Sequence, residues 1–217
     1  MDESLRWIAF IASALILSAY EAWAIWLGIR HPQRLARSAH AYMRGSWVTA
    51  LGRQPGFEIV AVQALRNSLM SATIAASTAA LALMATVTLA SGTIGTTAAV
   101  GTPTYRAVLE ILLMATLFAS YVCSAMAMRY FNHAGFVMSM PVTAPEREPL
   151  NPMASEYVRR AGLLYSWALR LFLVVAPLVV GIVRPLAMPA MTLALVVALW
   201  LFDRPARLHP DATSPDS

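Results

Sequence analysis

The chain contains no lysine: all 16 of its basic residues are arginine. Nucleotide composition produces such a bias as readily as function does, so no functional reading rests on it. There is one cysteine, Cys123, which excludes an intramolecular disulfide and a multi-cysteine metal centre. Charge is scarce as well, at 12% of residues against 59% hydrophobic, far from the balance of a soluble domain. Catalytic signatures are missing: no glycine-rich loop ending in Lys and Ser or Thr, no H-E-x-x-H, no C-x-x-C and no G-x-S-x-G. No enzyme and no cofactor are therefore expected. The four histidines, His31, His40, His133 and His209, all lie outside the apolar runs, so neither an intramembrane haem pair nor another metal site is expected.

What the chain has is apolar length. Runs of about 20 residues suffice to cross a hydrocarbon layer of roughly 30 Å at 1.5 Å per helical residue. Five are present, at 7–29, 68–90, 107–128, 163–183 and 186–202, the last two divided at the "GIVRP" turn. The expectation is an all-α integral membrane bundle of about five transmembrane helices. It forms one domain over 1–205, followed by a disordered cytoplasmic tail, 206–217. The acidic start "MDESLRW" and the length of the first run fit a retained span rather than a cleaved leader.

A net charge of +5 and a pI near 9.9 would suggest a nucleic-acid partner in a soluble protein. Here the arginines flank apolar runs. Twelve fall in the segments 30–66, 129–160 and the tail, and three (Arg6, Arg106, Arg184) fall on the opposite side. By the positive-inside rule this places the N-terminus outside and the C-terminus in the cytoplasm of a cell (inner) membrane, with no nucleic-acid partner. The segment Ala39–Leu51 reads as a short interfacial helix, "SGTIGTTAAVGTPTY" as an external loop and "PVTAPEREPLNP" as an irregular internal loop.

Two groups of residues stand out. Gln63, Arg66 and Asn67 share one helix face at i, i+3 and i+4, and the spacing recurs as Arg129, Asn132, His133 and as Glu156, Arg159, Arg160. The expected topology brings all three triplets to the cytoplasmic surface. There they would close the bundle as a polar lid or form a vestibule for a small anion or an anionic lipid. Inside the spans lie Glu21 and Arg170, each costly unless paired, and both about 10 to 13 Å from the same surface. The expectation is an ion pair that either fixes helix packing or couples to an ion. Glu110 follows Arg106 by four residues, a local pair rather than a site.

At "VQALRNSLMSAT", "MRYFNHAGF" and "GLLYSWALRLF" before a proline-containing turn, the chain resembles the membrane family called domain of unknown function 599, over roughly residues 8 to 205. The resemblance implies a multi-pass membrane protein without assigned activity, so no catalytic residue carries over. It directs attention to Gln63, Arg66, Asn67, Arg129, Asn132, His133 and Arg170. Two functions follow from the whole: transport or ion and lipid handling through the polar vestibule, or a non-transporting auxiliary or scaffold subunit. The partners are the bilayer, an anionic lipid or small anion, and a second copy or a membrane-complex subunit.

Overall fold

The computed structural model describes residues 2–31, 36–100 and 104–204, with side chains at all of these except 37, 38 and 93–100. Six helices follow one another: α1 (Glu3–Arg30), α2 (Ala36–Leu51), α3 (Glu58–Val100), α4 (Tyr105–Ser139), α5 (Asn151–Val183) and α6 (Met188–Asp203). Short 3₁₀ turns precede α5 and α6, at Glu148–Leu150 and Pro185–Ala187. All but α2 are long and apolar enough to cross a membrane, α6 with the turn before it. The tail 206–217 lies outside the described residues.

The boundaries have local causes. Proline comes at the start of α5 and α6, where its missing N–H costs nothing. Thr104 caps α4 by accepting a hydrogen bond from the Ala107 amide at 3.3 Å. Gly56, at φ 89°, makes the turn between α2 and α3 in a conformation other residues rarely adopt.

Three helices run well past the expected spans. The segment expected as an external loop is helical through Val100, despite Gly92 and Gly95, and contains no proline before Pro103. At the opposite end α3, α4 and α5 each continue for another 10 to 12 residues beyond the apolar runs, over 58–67, 129–139 and 151–162. Together with α2 these extensions enclose a second core of Val48, Leu65, Phe131, Val137, Met138 and Val158, bordered by Trp47, Leu51 and Tyr157. The segment 39–51, expected to lie on the membrane interface, is thus packed along α5 with Val48 fully buried. Burial of apolar side chains against a neighbouring helix outweighs lying flat on a surface.

The loop expected to be irregular is held by a residue the sequence reading passed over. Arg147 is 1% exposed. Its guanidinium donates to the Met140 carbonyl at the end of α4 and lies 3.9 Å from Glu58 Oε1 at the start of α3. Glu58 in turn accepts from the Val142 amide at 3.1 Å. One side chain so ties the α4–α5 connection to two helix ends.

Within the bundle α4 packs against α3 on one side and α5 on the other, and α6 packs against both α5 and α1. Small residues allow close approach: α3 buries Ala72, Ala76 and Ala79, and α4 buries Ser120, Ser124 and Ala127. Ser120 Oγ donates across to the Ala168 carbonyl at 2.8 Å. Near its N-terminal end α1 also meets α4, where Trp7 and Tyr105 stack edge to face with centroids 5.6 Å apart.

Candidate functional site

Glu21 of α1 and Arg170 of α5 meet, with Arg170 Nη1 2.9 Å from Glu21 Oε1. The pair is part of a larger cluster. Arg170 Nη2 also contacts both carboxylate oxygens of Asp203, the last residue of α6, and the Tyr20 hydroxyl donates to Asp203 Oδ2 at 2.8 Å. Arg170 and Asp203 are 7% and 8% exposed, so the cluster is a charged knot joining α1, α5 and α6. Tyr20 also packs with Leu195 and Leu199, bordered by Leu17 and Val174.

Asp203 was not anticipated because it follows the last apolar run by one residue and so counted as outside the span. A signal existed. Arg170 stands 14 residues before Arg184 in the α5–α6 turn, and the residue mirrored about that turn is close to Leu199. Asp203 is one helical turn further, within the reach of an arginine side chain.

The cluster carries two carboxylates against one guanidinium. Glu21 uses one oxygen only: Oε2 is buried and has no hydrogen-bond partner among the described residues. Such an oxygen retains its desolvation cost unless a proton, a cation or water meets it. Arg204, next to Asp203, does not join the knot but lies over the Trp200 ring, 3.5 Å from its centroid.

The three polar triplets do not form one layer. Gln63, Arg66, Asn67, Arg129 and Asn132 are exposed, and their side chains make no hydrogen bond or ion pair among the described residues. His133 stacks on Tyr157 with ring centroids 5.8 Å apart. Glu156 binds Arg159 and Arg160, at 2.7 and 2.6 Å, all within its own helix. The i, i+3, i+4 spacing does place each triplet on one face. In α3 and α4 that face is the one turned away from the second core, whose own stripe is Ala61 and Leu65 on α3 and Phe131, Ala134 and Met138 on α4. Among the described residues no hydrogen bond or ion pair joins one triplet to another.

Other polar features are local. Arg106 Nε lies 2.7 Å from Glu110 Oε1. A crevice of about 200 Å³ between α3 and α5 is lined by Ser71, Thr78 and Tyr165, and the two hydroxyls nearest it on α3 donate to their own backbone. Among the described residues no three of His, Cys, Asp and Glu gather as a metal ion would need.

Residues 8–207 match the model of the family described as Protein of unknown function, DUF599, and the chain belongs to that family. No curated protein and no solved structure matches it.

Proposed function

We propose that this member of the DUF599 family is a small, non-enzymatic transporter of the cell membrane, coupled to a proton at the Glu21–Arg170–Asp203 knot. In this reading the N-terminus is outside and the second core, with its arginines, stands in the cytoplasm, in keeping with the positive-inside rule. One observation carries the reading: the knot holds a surplus carboxylate whose Glu21 Oε2 is buried and without a partner among the described residues. A proton arriving there neutralises the surplus charge in a medium of low dielectric. Its departure restores the charge, so the two states differ in how strongly α1 is held to α5.

Infrared difference spectroscopy of the protein in lipid tests this without knowledge of the cargo. A protonated carboxyl band that titrates in the parent protein and disappears in Glu21→Gln is the expected result. A spectrum with no titrating carboxyl band, or one unchanged by Glu21→Gln, refutes the coupling. It would leave the second reading, a helix lock in an auxiliary or scaffold subunit. That reading draws support from the contact of Arg170 with both oxygens of Asp203. On either reading the partners are the bilayer and, on the exposed apolar faces, a second copy or a subunit of a membrane complex.

A further inference from the structure

Away from the knot, the seam between α2 and α5 contains a basic groove. The two helices run antiparallel, since Gly52 approaches Asn151, Gly45 approaches Ser155, and Arg44 approaches Gly162. Between them lies a hollow of about 630 Å³ lined by Tyr42, Ser46 and Thr49 of α2, by Arg53 in the turn after it, and by Ser155 and Arg159 of α5. It adjoins a second of about 660 Å³ that shares Thr49, Arg53 and Ser155 and ends at Asn151 and Glu148.

The charged residues lining the first hollow are Arg53 and Arg159, with Glu148 in the adjoining one. Arg53 is exposed and pairs with nothing among the described residues. Gly45, the residue after Arg44, lines the groove; the Arg44 guanidinium itself adjoins it, lying over the backbone of Gly162, where any Cβ would overlap it. Arg44 Nε is buried with no hydrogen-bond partner among the described residues. Burial, with no carboxylate to offset it, holds this guanidinium below its ordinary value. Only Arg159 has a counter-ion, Glu156, which it shares with Arg160. A guanidinium whose Nε is buried without a partner is costly, and phosphate, with oxygens matched to the guanidinium fork, is the anion it suits best.

Depth narrows the ligand. Gly162 adjoins the apolar run that begins at 163, whereas Ser155 stands about 10 Å further from the hydrocarbon. The Arg44 end therefore lies at headgroup level, and the hydroxyl-lined remainder projects beyond it.

We propose that the α2–α5 groove binds a phosphate ester, its phosphate held by Arg53 and Arg159 of the lining with Arg44 adjoining, and its hydroxylated remainder along Ser46, Thr49 and Ser155. The same chemistry is offered by the headgroup of an anionic phospholipid and by a soluble phosphate ester.

Thermal unfolding of the full chain in detergent, at matched ionic strength, tests the site with three additions: phosphatidylcholine, phosphatidylglycerol and glycerol 3-phosphate. The variants are Arg53→Gln, which disturbs no protein contact, and Gly162→Ala, which displaces the Arg44 guanidinium; Arg66→Gln controls for surface charge elsewhere. The midpoint should rise with a phosphate-bearing anionic addition and not with phosphatidylcholine. The half-maximal concentration should increase about tenfold or more in Arg53→Gln and Gly162→Ala, and stay unchanged in Arg66→Gln. A rise with phosphatidylglycerol alone identifies a lipid headgroup as the source, and a rise with glycerol 3-phosphate as well identifies a soluble ester. No rise with either, an undiminished response in Arg53→Gln, or an equal loss in Arg66→Gln overturns the proposal. Should Gly162→Ala not fold, Arg53→Gln decides. The site does not depend on proton coupling: Glu21→Gln should respond like the parent, so failure of one proposal leaves the other standing.

Discussion

Replacing Arg170 by Leu removes the only cation that faces Glu21 and Asp203 among the described residues, and leaves two carboxylates with the Tyr20 hydroxyl as their remaining partner. At an effective dielectric of about 20, an ion pair at about 4 Å is worth roughly 4 kcal/mol before desolvation is counted. Breaking a buried pair from one side costs about 3–5 kcal/mol, because the surviving charge stays in place without its partner. Here two surviving charges also repel each other, so the upper half of that range is expected. The single-carboxylate variants should rank by engagement. Asp203→Asn should cost more than Glu21→Gln, since Asp203 meets Arg170 with both oxygens and also accepts from Tyr20, while the Glu21 side chain remains 22% exposed. Neutralising all three residues together should restore stability to within about 1–2 kcal/mol of the parent, as for other buried ionic groups removed as a set. Unfolding by SDS titration in mixed micelles measures each difference. A cost below about 1 kcal/mol for Arg170→Leu, or a triple variant no more stable than that single one, would refute the account of the knot as a mutually dependent charged unit.

Arg147→Ala should cost about 3 kcal/mol in the same assay, because a fully buried guanidinium leaves behind a cavity and an unanswered Met140 carbonyl. A change under about 1 kcal/mol would mean that the α4–α5 connection is held by other contacts. Glu156→Gln, by contrast, breaks two ion pairs whose arginines are about half exposed, and should change stability by under about 1 kcal/mol, less at high salt. A reporter fused at residue 145 should be active only as a cytoplasmic reporter; activity confined to the outside would reverse the proposed orientation.

The apolar runs were legible because a hydrocarbon layer imposes one length on every helix that crosses it, and the shared depth of Glu21 and Arg170 followed from counting residues along them. Outside that layer counting gives less. The extensions of α3, α4 and α5 carry a helical stripe, as at Ala154, Val158 and Ala161, but it is short and built partly of alanine, so it stood out little against polar neighbours. The same spacing argument that placed Gln63, Arg66 and Asn67 together could not tell which way their face turned. That depended on which stripe the neighbouring helices buried. Arg147 lay in a proline-rich loop, where nothing local distinguishes a buried arginine from a solvated one.

Because α3, α4 and α5 pass without a break from the apolar runs into the second core, each acts as a lever with its fulcrum at the membrane boundary. The extensions of 10 to 12 residues are about 15–18 Å long. A tilt of about 10° within the bilayer would therefore carry their tips through about 3 Å, taking α2 and the Arg147-held connection along. Changes in bilayer thickness, which helices accommodate by tilting, would thus be carried to the far end of these extensions.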